Sequence, residues 1–461
     1  MPQKFYTGDE NGLVKVVIVP DAPAPEKQIK SIRNVERAPK DGKQQKKEEE
    51  AQGTTVEVWG QPDRNRAIQL MTWDHDRKHL VVARKNGLVQ LLNPQDGSIT
   101  LEVQQTMPPK QGKIEPAFVG LFANTKNLIT CTNAGVLTMY AIESPTTSQT
   151  VNLGQNLCRM RVHPHDHHLV ATCGNEEELT IWDLHQIFPE ESSTTTTTTT
   201  TTAGAHDEKK NTSRHKTKDN LSKGQVFKAK NVKNDFLDLR VPVWNTDFQF
   251  LDSKDHHHHR LAVGTRNHQL RVYDTKQARR PVVDVEIGTM PVVALANGKD
   301  ATEVVFSDTV TNVFSVDTLT GSIIGQYKGF AGVTTALACY TPNDDSNKTN
   351  LVTVSMDRHL RVHDMTGARK LLHQVYLKQR MTAVVVGEYV PDKKSKKRGN
   401  KGDDEDDEGA DADGNENDDD DDEDVWEQMG KLEEKTTKSK KSRPSSSSTK
   451  TKVATKKRKT Q

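Results

Sequence analysis

The hexapeptide LTIWDL, Leu179 to Leu184, is a short strand pattern that ends on an acidic turn-former, and it has counterparts along the chain. LVQLLN (Leu88 to Asn93), LRVYDT (Leu270 to Thr275), VFSVDT (Val313 to Thr318) and LRVHDM (Leu360 to Met365) alternate apolar and polar side chains, then place Asp or Asn where the strand ends. LVKVVI (Leu13 to Ile18) and VLTMYA (Val136 to Ala141) fit without the acidic residue, which makes seven copies.

Measured at the terminal position (Ile18, Asn93, Ala141, Asp183, Asp274, Asp317, Asp364), the copies lie 75, 48, 42, 91, 43 and 47 residues apart. Both long gaps contain low-complexity sequence: 34 residues rich in Pro, Lys and Glu (20–53) and 32 rich in Thr (192–223). Without these segments, expected to be disordered insertions, the gaps become 41 and 59.

An apolar strand precedes each copy at hairpin distance, as in HLVVARKNG (His79 to Gly87), RLAVGTRN (Arg260 to Asn267) and NLVTVSMDR (Asn350 to Arg358). Four short strands per unit of about 40 to 45 residues is the pattern of a propeller blade, so the fold expected over residues 1–391 is an all-β, seven-bladed β-propeller. KFYTGDENGLVKVVIV (Lys4 to Val19) supplies two middle strands of a blade and TTVEVWG (Thr54 to Gly60) its outer strand. The innermost strand is available only at the other end, as MTAVVVGEYV (Met381 to Val390), so strands from the two ends of the chain are expected to close the ring and remove an open edge.

Of 461 residues 28% are charged and 33% apolar, too polar for a chain that is globular throughout. The last 70 residues hold 18 Lys/Arg and 20 Asp/Glu, leaving 47 and 44 of the chain's 65 and 64 for the rest. That near-neutral body makes no case from bulk charge for coating nucleic acid. Cys131, Cys158, Cys173 and Cys339 form no CxxC pair and no signal peptide is evident, which points to a reducing compartment. No apolar run approaches the roughly 20 residues that span a bilayer, so no membrane partner is expected.

These repeats resemble WD repeats, with IWDL at Ile181 to Leu184 nearest the defining dipeptide, although Tyr273, His363 and Val316 stand where Trp is usual. A narrower resemblance rests on KAKNVKNDFLDLRVPVWNTDFQFL (Lys228 to Leu251), YTGDENGLVKVV near the start, VGTRNHQLRVYDTK (Val263 to Lys276) and SMDRHLRVHD (Ser355 to Asp364). These are similar to the nucleolar WD-repeat ribosome-assembly factors (Nop-seven-associated protein one of yeasts, WD-repeat protein seventy-four of animals). The resemblance implies a non-enzymatic scaffold, a monomer within a larger complex, bound to pre-60S particles in the nucleolus beside other assembly factors and rRNA. It also implies release linked to an AAA-type ATPase.

Lys228 to Leu251 is the candidate binding segment. VPVWNTDFQF (Val241 to Phe250) reads as an innermost strand, with Trp244 packed between blades, and the apolar residues before it (Phe236, Leu237, Leu239) are also strand-like. The preceding half crosses from an outer strand toward one face. There Lys228, Lys230, Lys233 and Arg240 can meet phosphates or carboxylates, and Asn231, Asn234, Asp235 and Asp238 can hydrogen-bond a backbone. An ordinary solvated connection between blades is the plainer reading of the same residues.

The histidine runs His163 to His168 and His256 to His259 fall in turns, and neither has the cysteine pairs or ligand spacing of structural zinc, so no metal or other cofactor is expected. No GxSxG, HExxH or GxxxxGK[ST] motif is present, and the repeated Asp residues are turn-formers, so no enzyme is expected. The tail, 392–461, is expected to be disordered. It runs from a basic cluster (Lys393, Lys394, Lys396, Lys397, Arg398) through Asp403 to Asp424, with 16 acidic residues in 22, to a basic end (Lys456, Lys457, Arg458, Lys459). The basic clusters suit nuclear import, and Val425, Trp426 and Met429 form a possible docking motif between charged blocks. A nuclear adaptor for a ubiquitin ligase or a chromatin complex is the alternative function.

Overall fold

A computed structural model describes residues 2–20, 53–110, 112, 114–189, 201–202, 222–251, 258–342 and 348–388. They form seven sheets arranged as a propeller, each with four antiparallel strands and one with a short fifth strand added at its outer edge. The innermost strands are Met381–Gly387 (blade 1), Ile68–Trp73 (blade 2), Phe118–Ala123 (blade 3), Leu157–Val162 (blade 4), Asn245–Leu251 (blade 5), Val292–Asn297 (blade 6) and Thr334–Tyr340 (blade 7). Each sequence repeat is the third strand outward in its blade. Within the threonine-rich insert, Thr201–Thr202 pairs in parallel with the outer strand of blade 3 (Ser148–Asn152). Residues 192–200 and 203–221 of that insert, residues 21–52 of the earlier one and the whole tail, with its basic clusters and Val425, Trp426 and Met429, lie outside the described residues.

Closure is as the sequence implies. Met381–Gly387 pairs with Gln3–Asp9, which pairs with Val14–Val19, which pairs with Thr55–Trp59. The ring is therefore sealed by backbone hydrogen bonds inside one sheet rather than by side-chain contact between two open edges.

The apolar core lies in the seams between blades. Phe5, Val17, Val352, Val354, Leu360 and Met381 fill the seam of blades 7 and 1, and Leu251, Val272, Val292, Leu295 and Phe306 that of blades 5 and 6. Because both faces of a third strand are covered, its polar position is buried too. Lys15, Gln90, Thr138, Thr180, Arg271 and Arg361, each three residues before the terminal position of its repeat, are at most 4% exposed; blade 6 has the partly buried Phe314 there.

Burial of these groups requires partners. Arg361 makes a fork with Asp357, Nη1 to Oδ1 at 3.0 Å and Nη2 to Oδ2 at 2.7 Å, and Arg271 donates to Asp284 and Gln269. Lys15 meets Asp9 at 3.7 Å and donates to the Leu377 carbonyl and Gln379, while burial draws its ammonium down to about 8. Each innermost strand also skips one residue against its neighbour (Thr382, Gln69, Val119, Cys158, Thr246, Val293 and Thr335 in turn), a bulge that adds twist near the axis.

Candidate interaction surface

In each blade the turn between the second and third strands and the connection to the next blade emerge on one face of the ring. The longest described connection there, 229–244, runs from the outer strand of blade 4 (Gln225–Lys228) to the innermost strand of blade 5. Its start is tied to neighbouring structure: the Ala229 amide donates to Leu179 and the Lys230 amide to Arg279, whose Nε donates to the Lys228 carbonyl at 2.8 Å. Arg280 Nε donates to the Asn231 carbonyl, and Asn231 Nδ2 donates to the Val241 carbonyl across the base of the loop.

The tip is a self-contained turn. Asp235 Oδ1 accepts the amides of Leu237 and Leu239, each at 2.9 Å, and the Asp235 amide donates to the Leu239 carbonyl. Asn234 Nδ2 donates to the carbonyl and the carboxylate of Asp238, which takes a left-handed backbone (φ 60°) that Asp tolerates. Side chains that are usually buried are thereby held in solvent: Phe236 is 93% exposed, Leu237 63% and Leu239 59%.

This corrects the strand-like reading of those three residues. Local Asx hydrogen bonds outcompete the extended conformation and leave the three side chains exposed. Of the sequence candidates, Lys228, Lys230, Lys233 and Arg240 are exposed, with Arg240 paired to Glu176 at 2.6 Å. The polar side chains of Asn231, Asn234, Asp235 and Asp238 are engaged within the loop they shape.

Trp244 also departs from expectation. It precedes the blade 5 strand, makes a single bridge to Asn175 and is 36% exposed, with the Arg266 guanidinium 4.4 Å from its ring centre. The strand pairing starts one residue later, at Asn245, and Trp244 stands exposed between the buried Val243 and Asn245. Trp244 instead helps line a cleft of about 230 Å³ with Pro108, Pro109, Ile114 and Pro116, so the face beside the turn is apolar as well.

Beneath this face lies a clamp the sequence does not announce. Asp247, 1% exposed, accepts from Arg159 Nε (3.0 Å) and Arg161 Nη2 (2.8 Å) of blade 4 and from the Leu295 amide (2.9 Å) of blade 6. Burial pushes its carboxyl up, but Arg159 and Arg161 outweigh that and hold it below the ordinary carboxylate value. One side chain on blade 5 thus fixes the blades on either side.

His163, in the turn before Leu169–Gly174, accepts the amides of His165 and Asp166 at Nδ1 and packs against Phe250 and His259. Burial, then the neighbouring His259, lowers its imidazole to about 4. Among the described residues no group of three or more His, Cys, Asp or Glu is gathered as a metal ion would need, and no helix is long and apolar enough to cross a membrane.

No protein-family model matches the chain. WD repeat-containing protein 74 of Mus musculus is 30% identical over 333 residues, 71% of this chain and 74% of that protein. The human protein of the same name is 30% identical over 341 residues, 73% of this chain and 76% of its own. Ribosome biogenesis protein nsa1 of Schizosaccharomyces pombe is 25% identical over 351 residues, covering 73% and 81%. With this likeness extending over the greater part of each chain and a seven-bladed ring beneath it, the chain belongs to the WD-repeat family of WD repeat-containing protein 74 and ribosome biogenesis protein NSA1.

Proposed function

We propose that this chain is a non-enzymatic scaffold of ribosome biogenesis that joins pre-60S particles in the nucleolus and docks other assembly factors through the 229–244 connection. The rigid turn that holds Phe236, Leu237 and Leu239 in solvent is the observation that carries the docking role. Large apolar anchors on a preorganised loop contribute most of the binding energy of an interface and lose little entropy on docking. Lys230 and Lys233 beside them favour a partner pocket with an acidic rim. The setting in ribosome assembly is supported by the names of the fungal relatives. Release by an AAA-type ATPase and nuclear entry through the basic clusters of the tail belong to the same reading.

The test is affinity purification and gradient sedimentation of tagged protein carrying Phe236→Ser, Leu237→Ser and Leu239→Ser. Surface changes of this kind shift stability by about ±0.5 kcal/mol each, so the variant is expected to fold and to leave the large-subunit precursor fractions. A variant that sediments with those precursors as wild type does would overturn docking through this turn. Purification of the wild type with cullin adaptors or histones, and without ribosomal proteins and precursor RNA, would overturn the assembly role.

A further inference from the structure

We propose that a second site on the same face, where blades 7, 1 and 2 meet, binds the phosphodiester backbone of RNA. Arg64, Lys85, Arg358 and Arg380 line a cavity of about 520 Å³ there, together with Glu10 and Ala67. They come from three different blades and from opposite ends of the chain. All four cations are exposed at the cavity.

Their backbones are fixed to one another. The Lys85 amide donates to Ala67 (2.8 Å), the Glu10 amide to Arg380 (3.1 Å) and the Leu377 amide to Arg358 (2.7 Å). Asp63 caps the short turn that carries Arg64, and its amide donates to Asn11 of blade 1. Arg358 stands at φ 69° in its turn and is exposed, with its Nη1 3.5 Å from Tyr376 Oη.

Little of this charge is neutralised within the fold. Lys85 pairs with Glu115 at 3.0 Å, and Glu10 is the one acidic residue lining the cavity. Among the described residues the side chains of Arg64 and Arg380 take part in no hydrogen bond or ion pair. Fixing like charges together costs free energy that an arriving anion offsets, and planar guanidinium forks match phosphate oxygens in two-point contacts.

The lining decides between an RNA and an acidic protein. Ala67 is its only apolar residue, so a peptide would find charge but no pocket for the large anchors that stabilise protein interfaces. Phosphate contacts need only positioned cations. The blade 3 to 5 side of the face, with Trp244 and three prolines, has the opposite character.

The full-length chain, titrated with fluorescein-labelled oligouridine over a range of salt concentrations, tests this. Each phosphate contact to a single strand contributes about 0.7 to the slope of log affinity against log salt. Arg64→Gln, Arg358→Gln and Arg380→Gln together are expected to reduce that slope by about 2 and to weaken binding on the order of 10- to 100-fold at physiological salt. Lys126→Gln, Lys299→Gln and Lys370→Gln remove the same charge from turns at the other end of the blades and are expected to leave the slope unchanged. Arg64→Gln alone, which removes no bond within the fold, is expected to lower it by about 0.7. Equal slopes for the two triple variants would overturn the proposal. So would polyglutamate displacing the RNA from wild type but not from the cavity variant at comparable concentration, which would make the site one for acidic protein.

Discussion

Asp247→Asn removes one negative charge from the place where three blades meet, and the geometry sets what that costs. Oδ1 of Asp247 accepts from Arg159, Arg161 and the Phe248 amide, and Oδ2 from Arg161 and the Leu295 amide. All of these are donors, so whichever way an asparagine amide is placed, its NH₂ faces an N–H. The change therefore leaves two arginines without their counter-ion and adds an unmade hydrogen bond. Removing one partner of a buried pair costs about 3 to 5 kcal/mol. The lower part of that range is expected, because Arg159 and Arg161 are 25% and 31% exposed and water relieves part of their charge. Urea denaturation at neutral pH should thus show a loss of about 3 kcal/mol. The pH dependence follows from the lowered carboxyl: its stabilisation is present above the unfolded value of about 3.9 and disappears as pH falls through the still lower folded value. The difference between wild type and variant should stay constant from neutral pH to about 5 and close below about 4. A loss under about 1 kcal/mol, or a difference that persists undiminished in strong acid, would refute the clamp.

Trp244→Ala should cost no more than about 1 to 2 kcal/mol, below the 3 to 5 of a buried aromatic, because the indole is one-third exposed and rests on Arg266; a larger loss in urea would return Trp244 to the core. His163→Asn keeps an acceptor for the two backbone amides and removes the titrating ring. Because burial lowers His163 to about 4 in the fold from an ordinary 6.5, the unfolded chain takes up the proton first, so wild type should lose up to about 1.4 kcal/mol per pH unit relative to the variant as pH falls from about 6.5 to about 4, and a parallel pH profile for the two would contradict this. Ending the chain before Met381 exposes the edge of Gln3–Asp9 and the seam around Phe5, so the product should aggregate, whereas ending it after Glu388 should leave the melting temperature unchanged; equal behaviour would deny closure within blade 1.

The ring was legible because its signal is local: a period of two, an Asp or Asn at most strand ends and a spacing that, insertions aside, is 41 to 48 residues in all gaps but one survive without any knowledge of neighbours. Closure was legible from the strand missing in the first blade. The buried cations were not, since LRVYD and LRVHD look half exposed until neighbouring blades cover both faces of Arg271 and Arg361. In the crossover, Phe236, Leu237 and Leu239 resemble core residues by type, and the signal against that was the pair of turn-formers Asp235 and Asp238 among them. Trp244 was misplaced because the strand was expected from Val241, whereas its pairing starts at Asn245 and leaves Trp244 just outside the ladder. The cation cavity could not be read at all, because Arg64 and Arg380 meet only once the ring has closed.

The seam in blade 1 also fixes how the ring responds to force. Its two joining strands are antiparallel, and Lys4 lies opposite Gly387, so the entering and leaving chain stand side by side at one end of the sheet. A pull on the chain beyond Glu388 loads that pairing first, then Phe5 with Val386, then Tyr6 with Val385, in succession. Each step breaks hydrogen bonds worth about 1 kcal/mol apiece rather than the whole ladder at once. As the strand peels, Val384 and then Met381 leave the cluster shared by blades 7 and 1, and the opening passes to the next seam. A motor drawing on the tail would unzip the propeller from the joint that completes it.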